Sequence, residues 1–357
     1  MFSDLLFSGG EKKYRVDQVN HAVFRELVSA FSEMTTLPKA LRDLLTKEAA
    51  FSVLTPVKTI TAEDTEKTLF KTHDGHFIES VLMRHKGRKT VCVSSQIGCP
   101  AGCIFCATGK LGIKRNLTAR EIYEQVLFWN RKLKEEWCRD EMNRVSNGEK
   151  QEWNPLNPPH DARVRNIVFM GMGEPLFNYE SVIEAIKFFN DPKKFGIGVR
   201  HITVSTVGLL PGIQKLIDED LGVNLAVSLH AHTNDLRTKL VPMNKTYPLP
   251  DLMKILDKYT KHTGRRIFYE YVVLKGMNDR EEDARALGEL LKLRMAHVNF
   301  IPYNVNPECG DELQKPEEEA IRKMQRVLDE YGVPSTVRMT MGDEMAAACG
   351  QLANKEV

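Results

Sequence analysis

The chain has 357 residues, 42% of them apolar and 27% charged, which is enough for one large α/β domain plus a small accessory module around a full core. No apolar run approaches the ~18 residues of a membrane span. The start, MFSDLLFSGGEKKYR, lacks the basic-then-apolar order of a secretion signal, so a cytoplasmic protein without a membrane partner is expected. A net charge of +2 excludes a bulk electrostatic binder of nucleic acid, but RHKGRK (84–89), KLGIKR (110–115) and KKFGIGVR (193–200) are local basic clusters. Taken together near other motifs, they could contact phosphates.

Residues 1–50 read as a small helical module. Val16, Val19, Val23, Phe24, Leu27 and Phe31 recur at helical spacing. TLPKALRDLL follows as a second helix, with Thr36 as its N-cap and Pro38 in its first turn. Residues 51–90 turn β-rich, with VKTITAED, KTLFKTH and FIESVLMR as short strands and the DG at 74–75 as a hairpin turn.

From 91 to 345 strands and helices alternate. The strands are TVCVSS, NIVFMG, HITVST, NLAVSL, FYEYVVL and HVNFIPY, with TAREIYEQVLFWNRKLKEE and DLMKILDKYTKHT among the helices between them. This βα repeat predicts a parallel sheet that curls into a barrel or partial barrel. Residues 138–163, polar and containing NPLNPP, read as an exposed loop or insertion. Ligands of such folds bind at the carboxyl ends of the strands. There this chain places Cys99 to Cys106, Gly171 to Pro175, Ser205, Ser228 to His230, and Asn304. A lone Ser or Asn at a strand end is usually a turn former; their recurrence after successive strands predicts one shared site.

Seven cysteines are present, and three of them, Cys99, Cys103 and Cys106, stand in GCPAGCIFCATG. Three thiolates on a short loop can hold three irons of a [4Fe–4S] cluster and leave one iron open. A zinc loop would need a fourth ligand, commonly from a second pair, and none is nearby.

This CxxxCxxC spacing resembles the signature of radical S-adenosylmethionine (SAM) enzymes, and GMGEP (171–175) resembles their SAM-contacting glycine-glutamate motif. A closer resemblance is to the RlmN/Cfr-type RNA adenine methyltransferases. YRVDQV (14–19), CVSSQIGC (92–99), CATGKLGIKRNL (106–117), FMGMGEPLFN (169–178), VSTVG (204–208), NLAVSLHA (224–231) and AACGQLA (347–353) carry it along nearly the whole chain.

The resemblance implies a partial (β/α)6 barrel with an N-terminal helical, RNA-binding domain, and a C-terminal tail (346–357) bearing a methyl-carrier cysteine. It implies methylation of carbon 2 of an adenosine in 23S ribosomal RNA, with tRNA as a further substrate, and two SAM molecules per turnover. One SAM methylates Cys349; a second, at the cluster, yields a 5′-deoxyadenosyl radical that activates the methyl group for addition to adenine. Cys92 then forms a disulfide with Cys349 and frees the RNA, so the tail is expected to fold over the barrel mouth. Glu79 matches the family's proton acceptor. Gly173, Glu174, Ser205, Ser228, Leu229, His230 and Asn304 match its SAM contacts. An electron donor such as flavodoxin or ferredoxin and a monomeric state are expected. Cys138, in the insertion, and Cys309 match no motif. Two alternatives stay open: a carbon-8 adenine methyltransferase conferring antibiotic resistance, against which Pro175 and Ala231 weigh, and a non-catalytic iron–sulfur RNA-binding protein.

Overall fold

The computed structural model describes residues 11–147, 159, 162–338 and 350–352. Helix α1 (Lys13–His21) runs into a π turn at Ala22–Glu26, and Leu27 ends it in the left-handed conformation. Val19, Val23, Phe24 and Leu27 are buried. Helix α2 (Lys39–Glu48) follows, but its N-cap is Pro38, and Thr36 does not cap it. Proline at the boundary costs nothing there, because the first amides of a helix have no intrahelical partner.

Strands β1 (Leu54–Ala62), β2 (Thr65–Thr72), β3 (Phe77–His85) and β4 (Arg88–Cys92) form an antiparallel run. The expected turn at Asp74–Gly75 joins β2 to β3, with Gly75 at φ 83°. β4 also pairs in parallel with β7 (Asn166–Phe169), and from there the sheet stays parallel. Its order is β7, β8 (Ile202–Thr206), β9 (Asn224–Ser228), β10 (Ile267–Val273), β11 (Ala296–Pro302) and β12 (Ser335–Val337). All six expected parallel strands are present, and β12 extends them by one. Strands β5 (Gln96–Gly98) and β6 (Ile113–Asn116) make a separate pair that frames the cysteine loop.

Helices α3 (Ala107–Lys110), α4 (Ala119–Ser146), α5 (Tyr179–Asn190), α6 (Leu210–Glu219), α7 (Asn234–Leu240), α8 (Leu249–Thr263), α9 (Glu281–Leu291) and α10 (Glu318–Glu330) complete the alternation. Among the described residues no helix is long and apolar enough to cross a membrane. α4 opens with a capping box between Thr118 and Glu121 and runs 28 residues. It therefore takes in 138–146, so the first part of the expected insertion is helix and Cys138 lies on α4 rather than in a loop.

On β7 and β8 the faces differ. Ile167, Phe169, Ile202 and Val204 are fully buried toward the helices, while Val168, Thr203 and Ser205 are half-buried on the concave side. Residues two apart share a face, and so do cross-strand partners. The concave face thus carries Cys92, Val168 and Met170 on adjoining strands, and Val81 and Glu79 beyond Cys92.

Candidate active site at the carboxyl ends of the parallel strands

The cysteine loop is held by backbone. Cys99 N donates to Gly112 O (3.0 Å), Ile104 N to Leu240 O (3.1 Å) and Cys106 N to Cys103 O (3.2 Å). Gly98, at φ 75°, passes so close to Gly112 that a Cβ would stand 1.7 Å from the Gly112 carbonyl oxygen. Cys99 and Cys103 are buried and Cys106 half-buried. Burial, aided by Cys106 and Glu174, pushes the Cys99 thiol up to about 12 and holds Cys103 well above its ordinary value. Neutral thiols in an apolar loop exchange their protons for a metal when one binds.

The GMGEP loop is fastened against this one. Gln96 Oε1 accepts from Glu174 N (2.8 Å), and Met172 O accepts from Ser95 N (2.8 Å). A Cβ on Gly173, at φ 100°, would lie 2.5 Å from Gln96 Cβ; one on Gly171 would lie 2.7 Å from Val93 O. At Gly171 backbone meets backbone, and at Gly173 backbone meets the Gln96 side chain and amide; neither position has room for a Cβ. Glu174 is buried, and burial lifts its carboxyl to about 7, although it accepts from Val207 N (2.8 Å) and Leu176 N (3.0 Å). It joins the β7 loop to the end of β8 as well as lining the cleft.

One cleft brings together Cys99, Cys103, Cys106, Gly173, Glu174, Ser205, Ser228 and His230. His230 stands at φ 58°, and its Nδ1 accepts from Val272 N (3.0 Å), which leaves the ring proton on Nε2. Burial, with Arg237 nearby, lowers its pKa to about 3, so the ring is neutral. Leu229 and Asn304 do not line the cleft; both are buried, and among the described residues Asn304 Oδ1 has no hydrogen-bond partner.

Cys92 ends β4 on the concave face. Glu79 shares that face one strand over, buried, with Lys67 Nζ at 2.8 Å. Cys349 lies outside the described residues. Its sequence neighbour Gly350 lines the cleft, and Gly350 O accepts from Ala107 N (2.8 Å) and Asn306 Nδ2 (3.1 Å). Thr108 Oγ1 donates to Leu352 O (2.7 Å). Cys309, which matches no motif, sits in a turn near Cys106, whose proximity adds to burial in raising its thiol pKa.

Sequence reasoning missed several residues here. Glu270 and Arg338 line the cleft, with Arg338 Nε 3.4 Å from Glu270 Oε2 and Asn299 Nδ2 donating to Glu270 Oε1 (2.9 Å). Arg237, fully buried, donates to Val207 O (2.6 Å), Ser228 O (3.0 Å) and Asn244 Oδ1 (2.7 Å), clamping the ends of β8 and β9. No local pattern marks either set. The basic clusters also divide. Only 110–115 lies at the cleft end, whereas 84–89 and 193–200 lie at the opposite end of the strands, and Arg84 and Arg115 are occupied by Glu66, Glu136, Asp74 and Glu121.

The donor set fits a cluster better than a single ion. Among the described residues no three His, Cys, Asp or Glu side chains converge on one ion-sized point, though all three cysteines line the same cleft. Cluster cysteines each bind a different iron and need not converge. The unpartnered Asn304 Oδ1 and the glycine-lined walls leave places for a polar ligand beside them.

Residues 160–288 match the Radical SAM superfamily, and residues 2–51 match the ribosomal RNA large subunit methyltransferase N-terminal domain. A probable dual-specificity RNA methyltransferase RlmN of Dictyoglomus thermophilum is 41% identical over 98% of this chain and 93% of its own length. The protein of the same description from Geobacillus kaustophilus is 42% identical over 98% of this chain and 89% of its own. The crystal structure of a radical SAM methyltransferase from Sphaerobacter thermophilus superposes with a TM-score of 0.87 at 40% identity, over 99% of this chain and 96% of that one. With cysteine loop, glycine-glutamate loop and strand-end residues meeting in one cleft, and with relatives matched end to end, the chain belongs to the RlmN family of radical SAM methyltransferases.

Proposed function

We propose that this enzyme methylates carbon 2 of an adenine in 23S ribosomal RNA, and in tRNA, using two SAM molecules per turnover. The observation that carries the reading is the single cleft shared by Cys99, Cys103, Cys106, Gly173, Glu174, Ser205, Ser228 and His230. The three cysteines would hold a [4Fe–4S] cluster, and the other five, with Leu229 and Asn304 beneath, would surround SAM. When bound, the cluster supplies the electron that opens radical chemistry on SAM, which a non-nucleophilic ring carbon requires.

The chain's own residues do the rest. Cys349 carries the methyl group to the base; Gly350, fixed to the cysteine loop through Ala107 N and Asn306 Nδ2, supports that role. Cys92 releases the RNA by pairing with Cys349, and its place beside Val168 and Met170 on the concave face supports this. Glu79 takes the proton from the adduct, oriented by the Lys67 ammonium. His230, neutral and donating through Nε2, offers a hydrogen bond without adding charge. We read 1–50 as the RNA-binding module, 51–90 as a β-rich connector, 91–345 as the partial barrel and 346–357 as the carrier tail. The enzyme acts as a cytoplasmic monomer reduced by a flavodoxin or ferredoxin.

The test uses anaerobically reconstituted enzyme with an adenine-bearing ribosomal RNA hairpin. Wild type yields 2-methyladenine by mass spectrometry, and Cys92→Ala leaves protein bound to RNA on a denaturing gel. An 8-methyl product would overturn the carbon-2 assignment, and normal turnover by Cys92→Ala would overturn the role of Cys92.

A further inference from the structure

The 193–200 basic cluster is not absorbed by the cleft. It borders a groove of about 1100 Å3 between the N-terminal module and the base of the barrel. His21, Arg25 and Glu26 come from the end of α1 and its π turn; Arg163 and Arg165 lead into β7, and His201 leads into β8. Arg163 Nη1 donates to Phe24 O (3.1 Å) and Nη2 to Arg25 O (2.6 Å), and Arg25 Nη2 donates to Pro192 O. Both guanidiniums are thus held in place by neutral carbonyls. Among the described residues neither has a carboxylate partner, and Glu26 is directed to His21 (3.6 Å). Burial, and then the like charge of Arg25, lower the Arg163 pKa to about 10. Arg165 and Glu26 line the same groove, so among its described side chains the arginines outnumber the carboxylate and the groove leans positive.

We propose that this groove binds the phosphate backbone of RNA flanking the target adenine. The inference rests on the RNA-methyltransferase reading above. Backbone rather than base is indicated because the groove offers fixed guanidinium donors; Phe195 is buried, and the exposed imidazoles of His21 and His201 can themselves donate to phosphate. The groove and the cleft lie at opposite ends of β7 and β8. Five strand residues in β8 separate them by about 17 Å. A short hairpin seated in the cleft would not reach the groove, whereas a longer flank passing the N-terminal module would.

Gly198 supplies a test that removes no existing bond. Its φ is −61°, and a Cβ there would meet only His201 Cδ2 at 3.6 Å. Gly198→Glu places a carboxylate in the groove; Gly198→Gln controls for size, and Arg25→Gln removes one cation. Binding of two RNAs to the full chain is measured against salt: a short target hairpin, and the same hairpin with its stem extended by a helical turn. Gly198→Glu and Arg25→Gln should each weaken the long RNA about tenfold and lower its log–log salt slope by about one. The short hairpin should bind and react as with wild type for Gly198→Glu, and Gly198→Gln should resemble wild type with both RNAs. Unchanged long-RNA affinity overturns the proposal, as does an equal loss for both RNAs. Slower reduction by an acidic protein donor with RNA binding intact would assign the groove to that donor instead. If wild type binds both RNAs but methylates neither, the proposed function fails while the difference in binding still judges the groove.

Discussion

The cleft and the flank where β2 and β3 meet α4 are both rich in buried polar groups, yet they are finished to different degrees. On the flank, charge is matched inside the chain. Glu66 takes Arg84 Nη1 (2.6 Å) and Lys132; Glu121 takes Arg115 (2.8 Å); Glu124 Oε2 accepts from Val53 N (2.7 Å) and Ser52 Oγ (2.6 Å). In the cleft, burial keeps the Cys99 and Cys103 thiols neutral, Asn304 Oδ1 lacks a hydrogen-bond partner among the described residues, and glycines stand where no Cβ fits. An unmet buried acceptor costs about 1–3 kcal/mol, so such sites persist where a ligand completes them. The flank is built to hold itself; the cleft is built to be filled.

The largest break in that contrast is Gly98→Ala. Its Cβ would collide with the Gly112 carbonyl at a φ that L residues avoid. Strain and overpacking together cost on the order of 4 kcal/mol. Urea denaturation should register the loss, and anaerobic reconstitution should fall well short of the about four irons a [4Fe–4S] cluster contains. A Gly98→Ala protein with wild-type stability and full iron would mean that the crossing does not shape the loop.

Glu66→Gln breaks the flank instead. Burial works to raise the Glu66 carboxyl, but the hydrogen bonds and charges of Lys132 and Arg84 outweigh it and hold it below the usual carboxylate range. A depressed folded pKa gives stability that is present above the unfolded value of about 4.3 and is lost as pH falls through the folded one. Arg84 and Lys132 keep about a quarter of their side chains in water. The expected cost is therefore about 2 kcal/mol at pH 7, below that of a fully buried pair. It should shrink toward zero as pH falls through the depressed folded value, with iron uptake unchanged throughout. Lost iron would show that flank and cleft are coupled.

The same division explains what could be read from the sequence. The parallel strands are continuous apolar runs that end in residues no core wants, so both the barrel and its functional rim were visible. The DG turn and the cysteine spacing are local signals and were equally plain. What failed depended on distance. RDEMNRVS is mostly polar and reads as loop, yet it continues α4, with Arg144 reaching Glu141 (3.0 Å) in its last turns. β12 is three residues long and exists through its pairing with β11. Glu270 and Arg338 meet by register between strands 68 positions apart, and Arg237 finds its carbonyls across two strand ends. The basic clusters could be seen, but which end of a strand each would occupy was set by topology.

The smallest expected effect is Asp74→Asn at the tip of the β2–β3 hairpin. Arg115 spans from this tip to Glu121 on α4, with Nε 2.6 Å from Asp74 Oδ2 and Nη2 2.8 Å from Glu121 Oε1. The Arg115 hydrogen bond holds the Asp74 carboxyl far below the usual range, against a smaller opposing effect of burial. Taken at face value, that depression resembles a strong ion pair. Yet a third of the Asp74 side chain and a quarter of that of Arg115 face water. Solvent and salt screen an exposed pair, and ordering two side chains offsets part of the attraction. Arg115 also keeps its buried partner Glu121 when Asp74 is neutralised. The substitution should cost about 0.5 kcal/mol at pH 7 and low salt. The sign follows from the depressed pKa: the contribution is present above about pH 4, is lost as pH falls further, and fades in 0.5 M salt. Denaturation of wild type and variant at two pH values and two salt concentrations measures it. A loss above about 2 kcal/mol that survives high salt would show the hairpin tip to be as closed as the Glu66 site, and would extend the self-sufficient flank to the edge of the cysteine loop.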